Sequence, residues 1–130
     1  MVQWGKTAAA RRCRSLKEDA RMKVGIIRCM QTEDLCPGTA DFAAVRSRTG
    51  AFSGAEEAEV VGFVSCGGCP GKRAVARARE LVRRGADTIA LASCIHKGTP
   101  IGFPCPHREA LTAAIRAAVG TDAAVLDHTH

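Results

Sequence analysis

Four short apolar runs, none of them interrupted by a polar residue, constrain the fold of this 130-residue chain most strongly. They occupy residues 24–27, 60–64, 89–92 and 123–126. Unbroken apolar runs of this length are typical of strands that are buried on both faces, as in a parallel sheet. Because the chain is long enough for one domain and no more, the sequence predicts a single sheet built from these runs.

Helical periodicity fills the segments between the strands. It covers residues 39 to about 47, 72–84 and 107–119. Gly85 and Gly120 follow the last two segments, where a helix C-cap glycine belongs. Residues 46–59 are rich in Gly, Ser and Glu, and this composition predicts a loop. The alternation of strands and helices predicts an α/β fold: a small three-layer sandwich with a parallel sheet of about four strands, Rossmann- or flavodoxin-like.

The net charge of +6 is concentrated at the N-terminus. Residues 1–23 hold seven basic and two acidic side chains, whereas the rest of the chain is nearly neutral. We therefore expect residues 1–21 to form a basic, disordered arm and residues 22–130 to form the domain. The change in composition also makes Met22 a candidate translation start. A short solvated arm is a weak basis for nucleic-acid binding, and a chain without Tyr is poor in rings that stack on bases.

The cysteine content bears on the compartment and on the chemistry. No apolar run approaches the roughly 20 residues of a membrane-spanning helix, and the arm lacks the apolar core of a secretory signal. We therefore expect a cytoplasmic protein without a membrane partner. In that reducing compartment, seven cysteines indicate metal ligands or redox groups rather than a disulfide framework.

Three of the cysteines follow predicted strands. Cys29, Cys66 and Cys94 each lie one polar residue beyond an apolar run. The carboxyl ends of parallel strands share one edge of a sheet, which is where open α/β sheets bind their ligands. Neighbouring strands lie about 4.8 Å apart, so we expect these three cysteines to be close together.

Three further cysteines precede prolines at the starts of predicted helices: Cys36, Cys69 and Cys105. Proline is favoured at the first helical position, so each cysteine is expected at or near an N-cap. Helix N-termini carry partial positive charge, which stabilises thiolates. A lone free cysteine is most often a small buried hydrophobe, but six at element boundaries on one edge favour a chemical role. Cys13, in the arm, is expected to have none.

The local motif around the second strand end is Ser-Cys-Gly-Gly-Cys-Pro-Gly-Lys-Arg, residues 65–73. Its two central glycines permit backbone angles closed to other residues, so two thiols can turn toward one point. A C-x-x-C on a strand-to-helix turn suits metal chelation or thiol redox chemistry. A P-loop is disfavoured, because Gly67 is one residue too close to the Gly-Lys pair and Arg73 replaces the hydroxyl. A Cys-x5-Arg phosphatase loop fails because position 72 is lysine.

From about residue 22 to residue 130 the sequence resembles the CGGC domain family, named for the tetrad at 66–69. The other matching stretches are 25–29, 31–38, 62–66 and 98–107. The resemblance implies a metal-binding domain, with zinc as the expected metal, and assigns no reaction. The ligands that it implies are Cys29, Cys36, Cys66, Cys69, Cys94, Cys105 and His107. By position alone, His96 and His107 are equally well explained as ligands or as loop residues.

Three functions stay open, in this order. The first is a metal-binding protein that holds zinc or an iron–sulfur cluster, since six thiols exceed what one zinc needs. The second is a thiol–disulfide oxidoreductase that uses Cys66 and Cys69, with Cys94 or Cys29 as the resolving thiol. The third is a metal or redox sensor that acts through the arm. Whether the chain is an enzyme, and its small-molecule substrate or protein partner, stay open as well.

Overall fold

The structure, a computed structural model, describes residues 21–130. The predicted arm, except for Arg21, and Cys13 lie outside the described residues. Within the described part, four parallel strands form one sheet in the order β2-β1-β3-β4, which confirms the predicted α/β class. The strands are β1 (Arg21–Arg28), β2 (Glu57–Ser65), β3 (Thr88–Leu91) and β4 (Ala124–Leu126).

Between residues 21 and 130, four helices accompany the sheet: α1 (Thr39–Ser47), α2 (Lys72–Arg83), α3 (Ser93–His96) and α4 (Arg108–Val119). Right-handed crossovers in this strand order require α1 on one face and both α2 and α4 on the other. On the α1 face, the rings of Phe42 and Phe63 lie 5.0 Å apart. On the opposite face, a Cβ added to Gly25 would lie 2.9 Å from Leu81 of α2, so the missing side chain lets this helix approach β1 closely. The result is the predicted three-layer sandwich.

The two central strands form the middle of the core. Their fully buried side chains are Val24, Ile26, Ile27, Ile89, Ala90 and Leu91. These strands have neighbours on both sides and helices on both faces, which is why their sequences are apolar without alternation. The core therefore fixes the carboxyl ends of β1 and β3 relative to each other, and with them the starts of the loops that follow.

Charged residues extend β1 and β2 beyond their apolar runs. Arg21 is in register with Glu57, and its Nε lies 3.2 Å from Glu57 Oε1. The prediction of a loop throughout residues 46–59 is wrong in part, because residues 57–59 belong to β2. Phe52, in a 3-10 turn at Gly50–Phe52, is fully buried. A search for local apolar runs detects neither charge pairing across strands nor a long-range core contact.

The short helix α3 was not expected from the sequence. It has one turn, too few residues for a helical period to be recognised, and it places Cys94 inside a helix rather than on an extended strand end. Among the helices of residues 21–130, none combines the length and the apolarity needed to cross a membrane.

Candidate metal centre

The carboxyl ends of β2, β1 and β3 lie side by side, and a cysteine follows each of them. The Cys66 N–H donates to the Arg28 carbonyl at 2.7 Å, directly beside Cys29. The Cys29 N–H donates to Cys94 Sγ at 3.2 Å. The three strand-end cysteines thus share one edge, as expected. The crossovers leave β1 and β3 in opposite directions, so this edge contains the switch point at which doubly wound sheets bind ligands.

The turn that carries the tetrad depends on glycines with left-handed backbone. The φ angles are 82° at Gly67, 103° at Gly68 and 94° at Gly71, values that side chains with a Cβ rarely adopt. A Cβ on Gly68 would lie 3.3 Å from Met30 Cε, and one on Gly71 would lie 3.1 Å from Leu111 Cδ1. The turn therefore packs between the segment that follows β1 and the first turn of α4.

The long connection before α4 folds back onto the same edge. The Phe103 N–H donates to the Gly98 carbonyl at 3.1 Å, which closes a turn. The Cys105 N–H then donates to the Ile95 carbonyl at 2.8 Å. Cys105 Sγ in turn accepts a hydrogen bond from the His107 N–H at 3.3 Å. These contacts tie Cys105 to α3 and to the start of α4.

The charges of the thiols at this edge act on one another's pKa. Burial raises the pKa of Cys29. A backbone hydrogen bond opposes this increase, and the charges of Cys66 and Cys105 add to it. Burial likewise raises the pKa of Cys105; the His107 N–H opposes this, and the charges of Cys69 and Cys66 add to it. We call Cys29, Cys66, Cys69 and Cys105 the thiol cluster. Cys69 is exposed, Cys29 and Cys105 are half-buried and Cys66 is buried, so the cluster runs from the surface inward.

Cys94 adjoins this cluster on its inner side. It is 6% exposed, and burial is the main cause that raises the pKa of its thiol. The hydrogen bond from the Cys29 N–H opposes that shift, while the charges of Cys29 and Asp41 add to it. Cys94 thus lies between the thiol cluster and a buried carboxylate.

The Cys-Pro pairs lie further from the helices than predicted. The N-caps are Gly38, Gly71 and His107, each two residues beyond the corresponding cysteine. The prolines therefore precede the N-cap and do not occupy the first helical position. The N–H groups of the helix start are correspondingly further from the thiols. At Cys105, burial outweighs the hydrogen bond that its thiol receives, which is why its pKa is raised.

Residues 23–130 match the CGGC domain. The chain belongs to the CGGC domain family. An uncharacterized protein of Methanocaldococcus jannaschii is 39% identical over 79 residues, which is 56% of this chain and 62% of that protein. The chain thus spans less than two thirds of the length of the relative that it matches. No solved structure matches the chain.

Three residues considered as ligands in this CGGC domain have other contacts. The Cys36 carbonyl accepts a hydrogen bond from Arg28 Nη2 at 2.6 Å. His107 is the N-cap of α4, and its backbone N–H donates a hydrogen bond to Cys105 Sγ. His96 Nε2 lies 2.9 Å from Thr112 Oγ1 on α4, and burial lowers the pKa of its ring. These contacts tie the loops to the core.

Arg28 and Thr32 support the site and were missed by sequence reasoning. Arg28 is 7% exposed, and its Nη2 donates to Thr32 Oγ1 at 3.2 Å as well as to the Cys36 carbonyl. Thr32 Oγ1 donates to the Cys29 carbonyl at 2.9 Å. A buried arginine thus holds the segment that positions Cys29. The only sequence signal for it is a charge placed directly after an apolar run, where a buried residue was not expected.

The donor set of this CGGC domain fits a thiophilic metal. The six cysteines of the described chain are free thiols, and thiolates are the ligands that zinc and iron–sulfur clusters prefer. Among residues 21–130, no three His, Cys, Asp or Glu side chains already converge to hold a metal ion. Coordination therefore requires the thiols to rotate toward a common point, which the glycine turn allows for Cys69.

Proposed function

We propose that this CGGC domain binds zinc or an iron–sulfur cluster through the thiolates of the thiol cluster. The observation that carries the proposal is the meeting of three chain segments at one edge. The tetrad turn packs against Met30 on one side and against Leu111 of α4 on the other. Four thiols lie on these segments, with Cys66 at the border of the apolar core and Cys29 and Cys105 packed against it.

The proposed ligands are Cys29, Cys66, Cys69 and Cys105. Cys66 and Cys69 come first, because two ligands on one turn lose little chain entropy on chelation. Cys105 stands ahead of Cys94 in this ligand set. The reason is that Cys94 lies beside the buried Asp41 carboxylate, which disfavours further negative charge there.

The remaining residues implied by the family have supporting roles in this proposal. His107 holds Cys105 Sγ by its backbone N–H, a contact that favours the thiolate form. Cys36 anchors its loop to Arg28 through its carbonyl. Buried hydrogen-bond partners of this kind orient ligating groups and raise metal affinity in known metal sites.

Four thiolates suit a closed structural zinc site, and they equally suit an iron–sulfur cluster. A zinc ion would stabilise the loops; a cluster would add electron transfer or an open iron position. The chain's own residues supply thiolates, hold them at one edge and leave Cys69 accessible to solvent. The proposal places the protein in a reducing compartment, the cytoplasm, where these thiols stay available. It names no substrate.

Metal analysis of protein purified without oxygen tests the proposal. We expect a stoichiometric metal. A zinc protein would be colourless, and a protein with an iron–sulfur cluster would be brown and absorb at about 400 nm. The matched control is Cys36→Ser, which should retain the metal. Metal-free protein after both zinc supplementation and anaerobic cluster reconstitution would contradict the proposal.

A further inference from the structure

A groove lies between β2 and α2, at the outer margin of the sheet. Its volume is about 330 Å³, which is at the small end of the range of ligand pockets. β2 is an outermost strand, so the groove opens to solvent beside the sheet. No cysteine lines the groove, and it is therefore separate from the proposed metal ligands.

The apolar surface of the groove follows from two irregular positions in β2. The register between β1 and β2 shifts between Val24 and Gly25, which makes Val61 the extra residue of a β-bulge. Val61 is 37% exposed. A Cβ on the next residue, Gly62, would collide with Leu81 Cδ2, so the bare backbone lets Leu81 lie against the strand. The groove thus presents apolar surface where α2 meets the outermost strand.

The charges that line the groove do not cancel. Among the described residues of the lining, Glu80 has the only carboxylate. It accepts hydrogen bonds from Arg83 Nε at 3.0 Å and from Arg84 Nε at 2.6 Å, so its charge is already compensated. Arg77 also lines the groove, and no ion pair of the described part of the chain includes it. The groove therefore carries an uncompensated positive charge.

The Arg77 guanidinium uses one of its nitrogens within the fold. Nη1 donates to the Ser65 carbonyl and to Ser65 Oγ, each at 3.0 Å. Nε and Nη2 donate to no other residue in the part of the chain that the structure describes. Together these two atoms form an edge with which arginine binds a carboxylate through two parallel hydrogen bonds.

A second cation lies beside Arg77, at the end of the groove that adjoins the tetrad turn. A Cβ on Gly67 would lie 3.3 Å from Arg77 Cζ and 3.1 Å from Arg73 Cδ, so both arginine side chains lie across this glycine. Like charges four residues apart on a helix destabilise it, and a bound anion would relieve that repulsion.

We propose that the groove binds a small organic anion, with its carboxylate on Arg77 and its apolar body against Leu81 and Val61. From Arg77 to Arg84 the helix advances about 10 Å, which is the length available to the apolar body. An inorganic anion would leave the apolar surface exposed, and a neutral analogue would leave Arg77 uncompensated. The proposal goes beyond metal binding and does not depend on it.

Calorimetric titration of the full-length reduced protein with octanoate and with octanamide tests the proposal. We expect saturable binding of octanoate, about tenfold tighter than that of octanamide. Arg77→Gln should weaken octanoate binding about tenfold and leave octanamide binding unchanged. The matched control is Arg79→Gln, the same change of charge at an exposed residue of α2 outside the groove, and it should bind both ligands as the wild type does.

Val61→Asp is a second variant that leaves the contact between Arg77 and Ser65 intact. Because Val61 is partly exposed at a bulge, the substitution should preserve the fold. It removes apolar surface and adds a negative charge, so it should weaken the binding of both ligands and that of octanoate more. Thermal unfolding of each variant checks that a loss of binding is not a loss of folding.

Several outcomes would overturn the proposal. The first is a wild-type protein without saturable octanoate binding, and the second is equal affinity for octanoate and octanamide. Equal losses in Arg77→Gln and Arg79→Gln would show that only the net charge acts. A wild-type dimer that Val61→Asp dissociates would show that a second copy of the chain occupies the groove. Metal content is measured separately, so octanoate binding by a protein that takes up no metal would sustain this proposal and remove the proposed function.

Discussion

Two regions of the same sheet edge hold polar groups in different ways. In the thiol cluster, four soft donors lie together and one of them faces solvent. At the other end of the edge, which we call the tail contact, Thr129 Oγ1 donates to the Asp41 carboxylate. The Ser93 hydroxyl accepts from the backbone N–H groups of Thr129 at 3.2 Å and His130 at 3.0 Å.

The two regions differ in whether their polar groups already have strong hydrogen-bond partners within the fold. Throughout the described chain, every buried side-chain nitrogen and oxygen has a hydrogen-bond partner. The tail contact satisfies its buried oxygens within the fold and so contributes to stability. Thiols form weak hydrogen bonds, so their burial without strong partners costs little and their capacity to bind metal is retained. A change in the tail contact should therefore alter stability, and a change in the thiol cluster should alter chemistry.

The largest expected effect on stability is that of Thr129→Val. The valine keeps the volume but leaves the buried Asp41 carboxylate without the hydroxyl donor. Loss of a partner by a buried charged group costs about 2–3 kcal/mol, which lowers Tm by roughly 10 °C in a domain of this size.

Thermal unfolding of Thr129→Val beside Thr121→Val, at an exposed threonine, measures this difference. Metal content should be the same in both variants. An unchanged Tm for Thr129→Val would mean that the tail contact does not stabilise the domain, and the contrast between the two regions would then fail.

A smaller effect is expected for Gly68→Ala in the tetrad turn. Gly68 has a φ of 103°, and a Cβ there would also press on Met30. Strain at a position of this kind costs about 1–3 kcal/mol, and it should reduce metal loading because it turns Cys66 and Cys69 away from each other. Gly54→Ala is the matched control, since Gly54 has no atom within 4 Å of an added Cβ and no positive φ. Equal metal loading in both alanine variants would show that the turn geometry does not organise the site.

The strand–helix order could be predicted from the sequence because apolar runs and helical faces are local patterns. The same patterns placed Cys29, Cys66 and Cys94 at one edge. They could not predict that α3 contains Cys94, since one helical turn has no readable period. Nor could they predict the Asp41–Thr129 contact, which joins residues 88 positions apart. The choice of Cys105 over Cys94 depends on these long-range contacts and therefore required the structure.

The smallest effect is expected on the surface of α2, far from both regions. Hydrogen bonds from Arg83 and Arg84 lower the pKa of the exposed Glu80 to about 2. Because the pKa is lower in the folded state, the stabilisation is present above the ordinary pKa of 4.5 and is lost as the pH falls toward 2. Solvent screening makes it small.

Glu80→Gln should accordingly change Tm only slightly at pH 7, and the difference from wild type should vanish near about pH 2. Melting curves over that pH range, at low and high salt, provide the measurement. A loss of Tm as large as that of Thr129→Val would show that surface ion pairs, and not the tail contact, dominate the stability of the domain.

The most direct test of the central claim is the metal-to-protein ratio of two double variants prepared side by side under anaerobic conditions. Cys66→Ser/Cys69→Ser removes two thiols of the cluster, and Cys13→Ser/Cys36→Ser removes two thiols outside it. A serine hydroxyl stays protonated and does not replace a thiolate ligand. We expect the first variant to lose stoichiometric metal and the second to retain it. Full metal retention in Cys66→Ser/Cys69→Ser would contradict the assignment of the thiol cluster as the metal site.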